Sequence, residues 1–142
     1  MEEIAVSFEG STLVNWTAYQ RARSELGAGF VRILGYFRED GVKSVDAIET
    51  AMRALNAAAM VIPAHTLKGE AAQFGAEPLC ALAEQIENIA RDCVEAQDTP
   101  EQALEQVVGL RPLFEQTLAL LVREANPLME RKPAAGFGRR AV

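Results

Sequence analysis

The only histidine of the chain lies in a short run of residues that is suited to nucleophilic chemistry. His65 occurs within A-H-T-L-K-G (residues 64–69), in a stretch whose apolar residues repeat at helical spacing. Imidazole is a nucleophile near neutral pH, and on a helix Lys68 and Gly69 would share its face. The Lys68 ammonium could meet anionic oxygens, and Gly69 lacks a side chain that would crowd the ring. These residue types are suited to a site at which the imidazole ring carries a phosphoryl group.

Each of these residues also has an ordinary structural explanation. A single histidine among apolar residues is usually packed or solvated, and Lys68 could be a solvated surface lysine. Glycine inside a helix costs about 1 kcal/mol relative to alanine, so Gly69 requires a compensating reason. That reason is either room for a phosphoryl group and its partner or a nearby helix end. Spacing alone leaves these alternatives open.

A longer string around His65 resembles the central motif of a known family. Residues 64–76 read A-H-T-L-K-G-E-A-A-Q-F-G-A, which is similar to the A-H-x-L-K-G-S-A-x-x-L/F-G-A pattern of histidine-containing phosphotransfer (HPt) domains. Residues 79–87 continue the resemblance to that family's L-x-x-L-A-x-x-L-E pattern. The likeness covers about residues 13 to 125, and Glu70 departs from it because relatives usually have serine there.

The resemblance implies a set of site residues. His65 would be the phosphoacceptor, with Lys68 and Gly69 beside it. Glu87 falls at the family's glutamate, where relatives place a polar residue near the imidazole, and Arg91 follows four residues later. Glu87 and Arg91 either support the ring and the phosphate or form an ordinary surface ion pair. An apolar patch for partner docking is expected at Val61, Ile62, Ala72 and Phe74.

The resemblance also implies a carrier in a two-component phosphorelay. His65 would accept a phosphoryl group from a receiver-domain aspartate and pass it to another, with a hybrid sensor histidine kinase and a response regulator as partners. The sequence has no phosphate-binding glycine loop and no kinase motifs, so we expect no ATP site and no autonomous kinase activity. We expect no cofactor on this chain, because the receiver would supply the magnesium ion. Whether such a carrier counts as an enzyme is left open.

Two other functional classes compete with this interpretation. Histidine-kinase dimerisation helices also present a histidine, but typically within H-E-x-x-x-P, and no ATP-binding domain follows here. A receiver-binding helical module could instead sequester or regulate response regulators without carrying phosphate. The sequence does not exclude that alternative.

Composition limits the range of partners. The chain has 142 residues and a net charge of −6, and its acidic body argues against nucleic acid as the main partner. No apolar run reaches the ~18 residues of a membrane span, and the acidic start lacks signal-peptide character, so we expect a cytoplasmic monomer. The spacing of Cys80 and Cys93 fits neither a metal site nor a disulfide.

Periodicity predicts six helices and no strands. We expect an all-α antiparallel up-down four-helix bundle with two additional N-terminal helices, forming one domain over residues 1–126 and followed by a flexible basic tail at 127–142. The expected helices span about 15–25, 27–39, 44–55, 57–74, 77–95 and 99–125. Asp40-Gly41 should break the chain, Pro63 should kink its helix or delay its start, and Pro112 should bend or split the last helix.

Overall fold

The computed structural model describes residues 12–125, which form five α-helices joined by short connections. In chain order the helices are α1 (Trp16–Leu26), α2 (Phe30–Arg53), α3 (Ala58–Gln73), α4 (Glu77–Glu95) and α5 (Leu104–Ala125), with 3-10 turns at Gly27–Gly29 and Pro100–Ala103. No strand occurs in this part of the chain, and none of its helices is both long and apolar enough to cross a membrane. The predicted tail at 127–142 lies outside the described residues.

Helices α2 to α5 form the bundle. The contact between α3 and α4 is the most extensive, α2 packs on α3, and α5 closes the bundle against both α2 and α4. Because short connections join successive helices, neighbours run antiparallel in up-down order. The prediction of an all-α bundle of four long helices is therefore confirmed for the described residues.

The prediction of two additional N-terminal helices is wrong. Within residues 12–125 only the short α1 precedes the four long helices, because the residues expected to form a second and a third helix make the single helix α2. Gly41, where a break was predicted, is inside α2 and is buried against the ring of Phe114 on α5. A Cβ atom at Gly41 would lie 2.4 Å from Cε1 of Phe114. This glycine therefore permits close helix packing and does not end a helix.

The two prolines within helices have different outcomes. Pro63 lies inside α3, which begins at Ala58, close to the expected start at about residue 57. The Asn56 side chain accepts a hydrogen bond from the Ala59 N–H at 3.1 Å. Pro112 does not split α5, which continues from Leu104 to Ala125. Proline has no backbone N–H, so the carbonyl four residues earlier loses its helical hydrogen bond. In α5 this is the carbonyl of Val108, which is an exposed residue. Water can bind that carbonyl at the surface.

The turn between α3 and α4 is anchored to the start of α1. Asn15 caps α1 by accepting a hydrogen bond from the Ala18 N–H at 3.1 Å, and its own backbone N–H donates to the Gly75 carbonyl at 2.7 Å. Gly75 has φ +75°, and a Cβ there would lie 2.7 Å from the Asn15 carbonyl oxygen. Glycine suits both the backbone angle and the close contact. The α3–α4 hairpin is thereby held at one end.

Candidate functional site

His65 is displayed on the outer side of α3. The inner side of this helix buries Met60, Ala64, Leu67 and Ala71. These residues repeat every three or four positions, so His65, one residue after Ala64, is turned about 100° away from them. The His65 side chain is 58% exposed. The imidazole is therefore accessible from outside the bundle.

The neighbouring helix α4 presents a buried carboxylate to this ring. Glu87 is only 3% exposed, and its Oε2 atom lies 2.9 Å from Nδ1 of His65. Glu87 follows Ile86 in the buried stripe of α4, and this register places it at the α3–α4 interface. The ring of His65 is therefore held by a group that solvent barely reaches.

Two cations share the same carboxylate. Nζ of Lys68 lies 2.9 Å from Oε1 of Glu87. Nη2 and Nε of Arg91 lie 2.7 Å and 3.0 Å from Oε2. The i,i+4 contact between Glu87 and Arg91 was predicted as a possibility, whereas the contact of Lys68 with Glu87 was missed. The structure thus brings His65, Lys68, Glu87 and Arg91 into one cluster.

These contacts keep Glu87 ionised. Burial alone would raise the pKa of this carboxyl group, but the contacts with Lys68, Arg91 and His65 outweigh burial and lower its pKa to about 2. The same contact raises the pKa of the Lys68 ammonium. At neutral pH the cluster therefore contains one carboxylate and two cations beside the imidazole.

The charge of Glu87 determines the tautomer of the neutral imidazole. A carboxylate can only accept hydrogen bonds, so Nδ1 of His65 must carry the proton that it donates to Oε2. The other ring nitrogen, Nε2, then has a free in-plane lone pair. Nε2 is therefore the ring atom with an electron pair available for attack.

Comparison with known proteins shows what kind of domain carries this cluster. The family model described as "Hpt domain" matches residues 32–125. The chain belongs to the Hpt domain family. Neither the curated proteins nor the solved structures gave a match. Hpt domains act in phosphotransfer within two-component phosphorelays, where they interact with receiver domains and kinases. The matched region covers nearly all of the four-helix bundle and leaves α1 outside.

Gly69 of this Hpt domain lies in open space one turn beyond His65. A Cβ atom at Gly69 would have no neighbour within 4 Å apart from its own helix backbone. α3 continues to Gln73, so Gly69 is not at the helix end. Packing within the chain therefore gives no reason for a glycine here, and the surface beside the ring is open.

The predicted docking residues differ in exposure. Ile62 is 68% exposed, Ala72 is exposed and Val61 is partly exposed. Phe74 is fully buried at 0% and packs against Phe30 and Phe37 in the core, so its assignment to the docking patch is wrong. Exposed residues of α3 that the prediction missed, all of them small or uncharged, are Ala58, Ala59, Thr66 and Gln73.

The remaining titratable residues that the sequence singled out form no hydrogen bond or ion pair with the cluster. Glu70 is partly buried, and burial together with the charge of Asp40 raises the pKa of its carboxyl group. Cys80 and Cys93 are both free, as predicted. Within residues 12–125 no three His, Cys, Asp or Glu side chains are grouped so that they could hold a metal ion.

Proposed function

We propose that this Hpt domain carries a phosphoryl group on Nε2 of His65 and relays it between receiver-domain aspartates. The observation that supports this most directly is the exposed imidazole whose Nδ1 bonds to the ionised carboxylate of Glu87. That bond orients the ring and leaves the lone pair of Nε2 free for attack. Glu87 is thus a positioning residue, and His65 is the phosphoacceptor.

The transfer is a displacement at phosphorus. Nε2 of His65 attacks the phosphorus of the receiver's aspartyl phosphate, and the P–O bond breaks with its electron pair passing to the aspartate carboxylate. The reverse reaction delivers the phosphoryl group to a second receiver. Phosphoryl transfer depends on cations that neutralise developing charge. Magnesium would be bound by the receiver, and this chain would act as carrier and substrate.

Lys68 and Arg91 are proposed to bind the phosphoryl oxygens. Together with Glu87 they carry a net charge of +1, whereas a phosphoryl group brings a charge of about −2. Arg91 has five N–H donors and Lys68 has three, so both retain donors beyond those directed at Glu87. The two cations can therefore bind the phosphoryl group without releasing the carboxylate that positions the ring.

The exposed face of α3 is proposed as the docking surface for the receiver. The exposed residues of this helix include Ile62, Thr66, Gly69 and Ala72. Apart from His65, none of its exposed residues can carry a charge. Small side chains allow a partner's backbone to come near the ring, and Ile62 offers an apolar contact. The partners would be the receiver domains of a response regulator and of a hybrid sensor histidine kinase.

The direct test offers a phosphorylated receiver to the native protein and to His65→Gln. We expect acid-labile phosphate on the native protein and none on the variant, with circular dichroism confirming that both are folded. Equal labelling of the two proteins would refute the relay. Binding of the receiver without phosphate uptake would instead favour the sequestering module.

A second experiment tests whether the chain is a kinase and not only a carrier. The native protein is incubated with labelled ATP in the absence of any partner. We expect no label, because no ATP site is predicted. Uptake of label from ATP alone would contradict the proposal that this chain only receives phosphoryl groups.

A further inference from the structure

We infer that a second copy of this chain packs against the α2–α5 side of the bundle, so that the two copies form an antiparallel homodimer. This side is called the α2–α5 face and consists of Val31, Arg38 and Val42 of α2 with Leu118 and Val122 of α5. The inference goes beyond the relay and does not depend on it. It also departs from the monomer expected from the sequence.

An ion pair between α2 and α5 locates this face. Nη2 of Arg111 on α5 lies 2.9 Å from Oε1 of Glu49 on α2. Two apolar residues of α2 precede Glu49 by eighteen and seven residues, and two of α5 follow Arg111 by seven and eleven. These intervals are close to whole numbers of helical turns, so the four side chains lie on the same sides of their helices as the ion pair. They are Val31, Val42, Leu118 and Val122.

The α2–α5 face exposes aliphatic side chains that the bundle leaves uncovered. Val31 is 56% exposed and Val42 is 39% exposed, whereas Leu118 and Val122 are partly buried and pack against the core. Arg38 lies between the two valines on α2, and its aliphatic stem can cover apolar surface while its guanidinium group stays in water. A partner on this face would therefore remove apolar surface from water.

The charges beside the valines match those of a second copy. Arg32 and Glu39 are both exposed and lie seven residues apart on one side of α2, and neither forms an ion pair with another residue of the described range 12–125. A two-fold axis that crosses α2 near residue 36 would place Arg32 beside Glu39 of the other copy, and the same rotation sets Val31 opposite Val42. Parallel copies would instead bring like charges together. The charge pattern thus selects an antiparallel second copy.

The size of the face is sufficient for a reversible dimer. α2 has 24 residues and α5 has 22, so each is roughly 33–36 Å long at about 1.5 Å per residue. Two packed helices present a side about 20 Å wide. The face therefore offers about 600–700 Å² per copy, which places the total at the low end of the roughly 1,200–2,000 Å² found in specific interfaces. We expect a Kd on the order of micromolar.

The α2–α5 face lies across the bundle from the histidine. α2 packs on α5, α3 packs on α4, and the contact between His65 and Glu87 lies on the α3–α4 side. A dimer formed through α2 and α5 would leave the imidazole of both copies exposed. Each dimer would then present two separate sites that face away from each other.

The first experiment measures association of the native chain with itself. Sedimentation equilibrium is run on the untagged native protein, Val31→Lys and the control Val94→Lys from about 1 μM to about 1 mM. Val94 is 44% exposed on α4, outside the α2–α5 face. We expect the native protein and the control to dimerise equally, and Val31→Lys at least about tenfold more weakly, because the lysine has to be desolvated. A native protein that stays monomeric, or a Val31→Lys variant that dimerises like it, would overturn the inference.

The second experiment tests the antiparallel pairing through its charges. Arg32→Glu and Glu39→Arg should each weaken dimerisation about tenfold or more, because each variant has like charges at the paired positions. An equimolar mixture of the two variants should associate as the native protein does, since the paired positions then carry opposite charges. A mixture as weak as either variant alone would overturn the pairing. His65→Gln should dimerise normally, so a failure of the relay and a failure of this inference are distinguishable.

Discussion

Nδ1 of His65 and Oε2 of Glu87 lie 2.9 Å apart across the interface of α3 and α4, and the carboxylate of this pair is buried while the imidazole is 58% exposed. Because of this difference in exposure, the two residues have different roles. The buried group fixes the tautomer and orientation of the ring, and the exposed group is accessible to a partner in the proposed relay. A bond between two helices that pack this extensively is well placed to stay fixed during docking.

The ionised carboxylate of Glu87 should stabilise the fold in a pH-dependent manner. Its pKa is about 2 in the folded protein, against 4.5 for an ordinary glutamate. Because the folded-state pKa is depressed, the stabilisation is fully present above about pH 4.5 and is lost as the pH falls towards 2. We expect Glu87→Gln to lower the free energy of unfolding by about 1–3 kcal/mol at pH 7 and by much less at pH 3.

Urea unfolding at the two pH values checks this prediction. Glu84→Gln serves as the control, because Glu84 is exposed and should change the free energy of unfolding little at either pH. An unchanged difference between the native protein and Glu87→Gln at pH 7 and pH 3 would contradict the assignment of an ionised, paired carboxylate.

Removal of Lys68 should affect the reaction more than the association. Lys68→Ala takes away a cation near the phosphoryl group, and hydrogen bonds to charged groups are worth about 1.5–3 kcal/mol. We expect the rate of phosphoryl transfer within the complex to fall at least about tenfold, while the Kd for the receiver changes by less than about threefold. Rapid-quench kinetics and titration calorimetry measure the two quantities separately.

Lys43→Ala provides the matched control, because Lys43 is an exposed lysine on α2. We expect both the rate and the Kd of this variant to equal those of the native protein. A Lys68→Ala variant that transfers at the native rate would remove Lys68 from the proposed site.

Local sequence signals are enough to predict the parts of this structure that depend on nearby residues. Asn15 caps α1, and Gly75 with φ +75° follows the end of α3. The exposure of His65 follows from its position beside an apolar stripe. Each of these features depends on residues within about one or two helical turns, so each can be predicted from the local sequence.

Contacts between distant residues could not be predicted in this way. Gly41 indicated a break because glycine commonly ends helices, but the ring of Phe114, which lies far along the chain, occupies the space beside it. Lys68 reaches Glu87 only once α3 and α4 have packed. Phe74 was expected in the docking patch, yet tertiary packing placed it in the core. In all three cases tertiary packing set the outcome.

The close packing of Gly41 predicts opposite effects for two alanine substitutions in α2. A methyl group at Gly41 would meet the ring of Phe114 at 2.4 Å, whereas one at Gly35 would meet nothing within 4 Å. We expect Gly41→Ala to destabilise the protein by about 1–3 kcal/mol through overpacking. Gly35→Ala should be neutral or stabilising by up to about 1 kcal/mol, because alanine is the better helix former. Thermal unfolding compares the two variants, and equal effects would contradict this account of Gly41.

The open surface at Gly69 predicts a steric block that leaves the fold intact. A Cβ atom at Gly69 would meet nothing within 4 Å, and a leucine there would extend into the space beside His65 that the proposed phosphoryl group and receiver would need. We expect Gly69→Leu to lower the transfer rate at least about 100-fold with no loss of stability. Gly109→Leu is the control, because Gly109 is equally open on α5. Normal transfer by Gly69→Leu would contradict the steric argument.

The apolar side chain of Ile62 should contribute to docking of the receiver. Ile62 and Val108 are each 68% exposed, but only Ile62 lies on α3, one turn before His65. Because a lysine at the centre of an apolar contact has to be desolvated, we expect Ile62→Lys to weaken receiver binding about tenfold or more. Val108→Lys adds the same charge at the same exposure on α5 and should leave the Kd unchanged. Titration calorimetry with the receiver distinguishes the two variants, and equal weakening by both would indicate a general charge effect and not a docking surface on α3.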